Sequence, residues 1–280
     1  MPLAPLVAPL LDGRSLEPEE AAALARYLFD EATDGEVGAA LALMAGRTPT
    51  GVELAGFARE MRSRAHRIET GLPGLVDTCG TGGGVPSFNL STAAALLAAG
   101  AGATVAKHGN RAVTSLCGSA DVLEELGVRL SSDTDELARR LREHGVAFLF
   151  APNHHPATAR VGPVRRALGF RTIFNALGPL LNPAGARRGV LGVYEARLVR
   201  PVAEALAELG GEAAYIVHGA EGLDEVSPCG PTGWARVDAN GVTEGHWTPE
   251  DFGIEPLSPK ALAPGEDRMA AAAIVREAIT

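Results

Sequence analysis

The sequence predicts an α/β protein, with a small N-terminal helical domain and a larger α/β domain on a mostly parallel central sheet. Three observations carry this. Residues 1–70 show helical periodicity and no strand-like run. From Leu75 onward, short apolar runs alternate with helix-like segments, the order that builds a parallel sheet with helices on both faces. The 280 residues, 46% hydrophobic and 21% charged, suffice for one large or two small cores and are too apolar for disorder.

The elements follow in order. Residues 1–12 are apolar but hold three prolines and no basic flank, so they do not make a signal peptide. Pro18 suits the first turn of a helix that places Leu24 and Leu28 on one face. A second helix spans about 36–44. Thr50 and Glu53 have capping-box spacing, and Leu54, Phe57, Ala58 and Met61 then recur at i, i+3, i+4, i+7. Gly71-Leu72-Pro73-Gly74 reads as a linker. Beyond it come LVDTC (75–79), a helix at 91–99, ATVAKH (103–108), a helix near 120–126, a helix opened by Asp133 and Glu136, and VAFLF (146–150). Residues 151–187 are polar and proline-rich, with a helix near 157–168 and no clear strand; this stretch is expected to pack back on the N-terminal helices. RGVLGVY (188–194), a helix ending at Leu209 and AAYIVHG (213–219) follow, and Asn240-Gly241 signals a hairpin. The expected domains are 1–70 joined by part of 155–185, and 75–154 with 186–280.

Charge narrows the function. A net charge of −9 argues against a broadly basic face for nucleic acid or an anionic membrane, though not against a local basic pocket. Cys79, Cys117 and Cys229 are widely spaced, form no CxxC or zinc pattern, and read as reduced thiols of a cytoplasmic protein. No apolar run approaches the ~20 residues of a membrane-spanning helix. Only two basic residues are lysines, Lys107 and Lys260. A lysine inside Lys107-His108-Gly109-Asn110-Arg111 marks a place where a compact point charge is wanted.

Four features carry chemistry. Gly80-Thr81-Gly82-Gly83-Gly84 follows an apolar run, and glycines there let the backbone approach an anion and aim N–H groups at it. Asn89, Ser91 and Thr92 are good caps for the next helix, whose N-terminus adds free N–H groups. The spacing is neither GxGxxG nor a GK[ST] phosphate loop, and alone the turn reads equally as a tight strand–helix connection. The second feature, residues 107–111, ends the next apolar run, and ligands of parallel sheets gather at carboxyl ends of strands. Ser115 and Ser119 add hydroxyls. The third is Asp224-Glu225, just after AAYIVHG; two carboxylates beside a phosphate cradle point to Mg2+, because bare carboxylate and phosphate repel. The fourth is Arg165, near His154 and His155, which can take a carboxylate bidentately. Residues 171–183 mix Gly, Pro and Asn with apolar side chains, as suits a hinge.

Together these pieces resemble the anthranilate phosphoribosyltransferase family. The resemblance runs from about Pro18 to near the C-terminus. It rests on GTGG (80–83), SFNLST (87–92), KHGNR (107–111), GSADVLEELG (118–127), HP (155–156), PVRRALGFRTIFNALGPLLNP (163–183) and HGAEGLDE (218–225). It implies a cytoplasmic homodimer, joined through the helical domain, that transfers the phosphoribosyl group of phosphoribosyl pyrophosphate to anthranilate with Mg2+ as cofactor. By the same resemblance Gly80, Gly83, Gly84, Ser87, Asn89, Leu90, Ser91, Thr92, Lys107, His108, Gly109, Asn110, Arg111, Ala112, Val113, Thr114, Ser115 and Ser119 would hold phosphoribosyl pyrophosphate. Ser91, Asp224 and Glu225 would hold Mg2+. Gly80, His108, Asn110 and Arg165 would face anthranilate, with Gly178 and Pro179 at the hinge. No side chain acts as nucleophile.

Two departures from the family pattern stand out. Gly84 replaces the Asp that usually follows GTGG, and Val85-Pro86 shortens the turn by one residue. This removes a carboxylate near the metal site, so metal dependence or donor affinity is expected to differ. The family also runs on through further helices on the sheet, whereas this chain ends at Thr280, which is expected to leave apolar sheet surface for a partner. The alternatives are a non-catalytic relative that binds nucleotides or nucleic acid, and a pyrimidine nucleoside phosphorylase of the same fold, whose glycine motif differs and which lacks KHGNR.

Overall fold

The computed structural model describes residues 2–112 and 117–280. Helices α1 (Leu3–Leu11), α2 (Pro18–Asp30), α3 (Asp34–Ala45) and α4 (Gly51–Ser63) come first. Pro18 opens α2, and Thr33 and Thr50 form reciprocal capping boxes with Glu36 and Glu53. Glu53 also reaches beyond its own helix. Its buried carboxylate pairs with Arg47 and accepts the Leu16 N–H at 2.8 Å, fixing the turn before α2.

The α/β part then runs β1 (Val76–Asp77), α5 (Leu90–Gly100), β2 (Val105–Gly109), α6 (Ser119–Glu125), α7 (Thr134–His144) and β3 (Val146–Phe150). Next come α8 (Ala151–His154), α9 (Thr158–Leu168), α10 (Phe174–Leu177), β4 (Arg188–Gly192), α11 (Val199–Glu208) and β5 (Ala213–Gly219). A hairpin of β6 (Thr232–Asp238) and β7 (Gly241–Trp247), and then α12 (Arg268–Ile279), complete it. Among the described residues the strands form one sheet in the order β3-β2-β1-β4-β5-β6-β7. It is parallel from β3 to β5 and antiparallel through β6 and β7. The LVDTC run pairs over only Val76–Asp77, because Asp77 Oδ1 accepts the Thr78 N–H at 2.8 Å and diverts it from a ladder.

This order puts a switch point at β1. The chain leaves β1 for β2 on one side and returns to β4 on the other, and in such sheets the ligand crevice opens beyond the carboxyl ends of the strands flanking the switch. Helices α9 and α10 pack against α2, α3 and α4. Phe174 meets Phe29 and Phe57 edge-on, with ring centroids at 5.9 and 6.0 Å. Residues 174–186 therefore run between the helical layer and the sheet. On β5 to β7, Ala214, Ile216, Ala235 and Val237 join the core with α11, while Tyr215, Trp234 and Trp247 cluster on one another.

Candidate active site

The glycine turn leaves β1 and lies over the end of β4. Thr81 N–H donates to Gly192 O at 2.9 Å, and Tyr194 N–H donates to Thr81 Oγ1 at 3.0 Å. The turn also docks on the loop after β5. Gly82 N–H donates to Asp224 Oδ2 at 2.8 Å, Val85 N–H donates to Gly222 O at 2.9 Å, and Arg171 donates to Gly83 O. A Cβ on Gly84 would stand 2.7 Å from Gly222 O and 2.8 Å from Asp224 Oδ1, so this approach needs glycine at 84. The expectation that the turn presents its N–H groups to an anion is thus corrected for Gly82, whose N–H is already given to Asp224. Gly80 lies against the same carboxylate.

Helix α5 starts at Leu90, with Asn89 at its N-cap position. The capping role expected of Asn89, Ser91 and Thr92 is not what their side chains do. Asn89 Nδ2 donates to Cys117 O at 3.2 Å, and Ser91 and Thr92 lie within the first turn. Ser91 instead meets Lys107. The Lys107 ammonium, 3% exposed, donates to Ser91 Oγ at 3.2 Å, Thr78 Oγ1 at 3.2 Å and Thr78 O at 3.3 Å. Its hydrogen-bond partners are all neutral oxygens among the described residues. Ser87 donates to Phe88 O at 3.1 Å, and Thr92 Oγ1 is buried without a partner.

Past β2 the chain folds tightly. Gly109 faces Ser119 Oγ and Phe148, and Ser119 Oγ donates to the C=O of the exposed Asn110 at 3.2 Å. Arg111 is not a free cation: it bonds Asp121 at 3.0 Å and Glu124 at 2.5 Å. Asp121 Oδ2 also accepts the Ala112 and Gly118 N–H groups at 3.1 and 3.0 Å. Val113, Thr114 and Ser115 lie outside the described residues.

His108 and His155 form a buried edge-on pair with ring centroids 5.2 Å apart; His108 lies against the Gly178 backbone and His155 against that of Leu181, but no ring nitrogen makes a well-formed hydrogen bond. Burial, with each imidazole's positive neighbours, pushes His108 down to about 3 and His155 down to about 4, so both are neutral at ordinary pH. Sequence reasoning grouped His155 with Arg165 and missed its place against His108; the partner lies on a different strand end. His154 is structural, with Nδ1 at 3.0 Å from His66 O. Arg165 stands over the Phe174 ring at 5.1 Å and has no hydrogen bond or ion pair among the described residues. Partial burial lowers its pKa, and with no acidic partner among the described residues its guanidinium is open to an anionic ligand.

Glu225 feels the Lys107 charge, with Asp224 beside it. Burial pushes Glu225 up to about 8, helped by Asp224 beside it and opposed by Lys107 and Ser91. Burial raises Asp224 as well. Two neighbouring, partly buried carboxyls that oppose one another's ionisation lack a compensating cation; once ionised by one, with the Ser91 hydroxyl beside them, they are hard oxygen donors that fit Mg2+. A second cluster, Asp77, Cys79 and His108, places an O, an S and an N within 4.8 Å of one another. It does not fit a cation. Both Asp77 oxygens accept hydrogen bonds, and the Lys107 charge acts directly on Asp77 and Cys79.

Fold and site together define a glycosyl transferase of two-part build. Residues 4–65 match the helical bundle domain of the glycosyl transferase family, and residues 72–280 match its a/b domain. The chain is 53% identical over 215 residues to anthranilate phosphoribosyltransferase of Rubrobacter xylanophilus, covering 76% of this chain and 63% of that relative. It is 47% identical over 265 residues to the Pelotomaculum thermopropionicum enzyme of the same name, covering 94% of this chain and 77% of the relative. The crystal structure of the Thermus thermophilus anthranilate phosphoribosyltransferase superposes with a TM-score of 0.88 at 41% identity, over 97% of this chain and 81% of that one. The Saccharomyces cerevisiae enzyme in complex with phosphoribosyl pyrophosphate and Mg gives 0.87 at 28% identity, over 98% and 80% of the two chains. The chain belongs to the anthranilate phosphoribosyltransferase family.

Proposed function

We propose that this chain transfers the phosphoribosyl group of phosphoribosyl pyrophosphate to anthranilate, releasing pyrophosphate. The observation that carries the reading is the buried Lys107 ammonium, bonded only to neutral oxygens, whose charge acts on Glu225, itself beside Asp224, near the switch point of the sheet. A polyanion with a divalent cation completes that charge pattern. Neither a nucleic acid nor a membrane is needed to do so, and the net charge of −9 favours neither.

The aniline nitrogen of anthranilate carries no charge at neutral pH and is already a nucleophile. It forms the N–C1 bond as the C1–O bond to pyrophosphate breaks, and the nitrogen then loses a proton to solvent. The developing charge is on the leaving group, so stabilisation there lowers the barrier. Lys107, its three N–H groups given to Thr78 and Ser91, stabilises the leaving group through its charge rather than by direct contact. Ser91, Asp224 and Glu225 would hold Mg2+, which when bound neutralises pyrophosphate oxygens. Arg165 takes the anthranilate carboxylate, for which it has no competing acid. The neutral His108 and His155 rings pack behind the site against Gly178 and Leu181 and add no charge beside the ribosyl centre. Gly178 and Pro179 would let the two halves close and exclude water, which otherwise hydrolyses the donor.

The working unit in this reading is a cytoplasmic homodimer. An apolar groove between α1 and α3, lined by Leu3, Val7, Leu11 and Leu43, supports joining through the helical domain, made of 1–70 with part of 155–185. Leu11 is 67% exposed there. Sedimentation of wild type should give a dimer; a monomer at micromolar concentration would contradict this part. The activity itself is tested by anthranilate fluorescence, which should fall when phosphoribosyl pyrophosphate and Mg2+ are added. A folded sample without turnover would overturn the reading.

A further inference from the structure

The two halves of the site are joined by a buried polar tie between Asp77 and Asn182. Asp77, 3% exposed, ends β1. Its Oδ1 accepts the Thr78 N–H at 2.8 Å and the His108 N–H at 3.1 Å, which fixes the end of β2 that carries Lys107 and His108. Its Oδ2 accepts Asn182 Nδ2 at 2.7 Å. Asn182, 5% exposed, comes from the segment just beyond Gly178 and Pro179. Its Nδ2 also donates to Ala106 O on β2 at 2.7 Å, and its Oδ1 accepts the Ala184 and Ala186 N–H groups at 3.0 and 3.4 Å. From the helical side, Arg62 on α4 donates to Leu180 O at 2.6 Å. The hinge segment is thus gripped by α4 on one side and by Asp77 on the other.

A buried carboxylate is costly; the Lys107 charge acts on this one, but its contacts among the described residues are hydrogen bonds to neutral donors and no direct ion pair. If its work were only to fill space, an apolar side chain would serve as well or better. We propose that Asp77 and Asn182 are positioning residues that register the hinge segment against the anion pocket, so that the placement of the anthranilate half depends on the carboxylate that also sets Lys107 and His108. The proposal rests on the phosphoribosyl transfer described above. Asp77 acts on both halves, through His108 N–H and through Asn182. Asn182 acts chiefly on the hinge half.

The test uses full-length protein with Mg2+ and three variants: Asn182→Ala, Asp77→Asn and the double variant. Asn182→Ala should raise the KM for anthranilate about tenfold while the KM for phosphoribosyl pyrophosphate moves less than about threefold. Asp77→Asn should raise both. The double variant should be no worse for anthranilate than Asp77→Asn alone, because both changes break one linkage. Equal shifts in both KM values for Asn182→Ala, no shift in either, or additivity in the double variant would each overturn the proposal. If Asp77→Asn does not fold, the Asn182→Ala split alone decides.

Amide hydrogen exchange reads the same tie without turnover, so the proposal is separable from the activity. In Asn182→Ala, exchange should quicken at 184 and 186, which lose their acceptor, and also at 107–109, whose N–H groups Asn182 does not touch. Quickening confined to 184 and 186 would overturn the tie even in an active enzyme. Quickening at 107–109 would uphold it even if wild type failed to consume anthranilate.

Discussion

Arg165 and the Asp224–Glu225 pair divide the work at the residue scale. Arg165 has no acidic partner among the described residues, so its removal exposes no buried charge and should act on substrate binding alone. Arg165→Ala should raise the KM for anthranilate by about tenfold or more, with melting temperature nearly unchanged; steady-state kinetics beside a thermal melt checks both. Asp224→Asn with Glu225→Gln should lower activity and shift the Mg2+ dependence to higher concentration, read by titrating Mg2+ at fixed substrate. An unaltered metal profile would remove the pair from the metal site. Lys107, inside β2, and Asp224 and Glu225, five and six residues past β5, could be picked out in the sequence because strand ends of a parallel sheet converge. The roles of Asp77 and Asn182 were not, because their contact joins residues 105 apart and neither stands in a pattern that local spacing reveals. Arg111 illustrates the converse: a cation in a suggestive motif, taken by Asp121 and Glu124 one helix later.

At the scale of elements, the capping boxes at Thr33 and Thr50 form as spacing predicts, because a cap is satisfied within four residues. What spacing could not reveal is that Glu53 also secures Leu16 and Arg47. Glu53→Ala should therefore cost about 3 kcal/mol, more than a lost cap alone, seen as a lower denaturation midpoint. Loss of under about 1 kcal/mol would reduce Glu53 to an ordinary cap. The expected caps at Asn89, Ser91 and Thr92 fail for the same reason in reverse. Long-range partners orient the side chains instead: the Asn89 amide turns its Nδ2 to Cys117 O, and Ser91 Oγ accepts from Lys107 rather than from a local N–H. The shortened turn at Gly84-Val85-Pro86 has a structural counterpart. It lets the backbone close on Gly222 and Asp224, where a side chain at 84 would not fit.

For the whole molecule, the alternation of strands and helices fixed the class, since β2, β3, β4 and β5 each arise where an apolar run ends a helix or loop. Sheet order and the packing of α9 and α10 on the N-terminal helices depend on side-chain complementarity across the chain and needed the structure. Acid stability is a global consequence of the histidine pair. His108 and His155 are held at about 3 and about 4, below the ordinary 6.5, so below that value the unfolded chain binds protons that the folded one refuses. Their stabilising contribution is present above about pH 6.5 and is lost as pH falls towards 3–4, at up to about 1.4 kcal/mol per pH unit for each histidine. Glu225, at about 8, and Asp77 and Asp224, also raised by burial, act in the opposite sense over the same range, so the pair is read by difference: the urea midpoint of His155→Gln should gain on that of wild type as the pH falls from 7 to 5. A gap between the two midpoints that does not change with pH would contradict the neutral buried pair.

In the proposed reaction one crevice holds a pyrophosphate donor beside Lys107 and a metal-binding carboxylate pair, and an aromatic acid by Arg165. Anthranilate fluorescence and pyrophosphate release, followed together in the purified protein with phosphoribosyl pyrophosphate and Mg2+, test this. On that reading, fluorescence should fall with about one pyrophosphate released per anthranilate consumed, and should not fall when Mg2+ is chelated. Pyrophosphate released without anthranilate consumption, or no change in a folded sample, would contradict it.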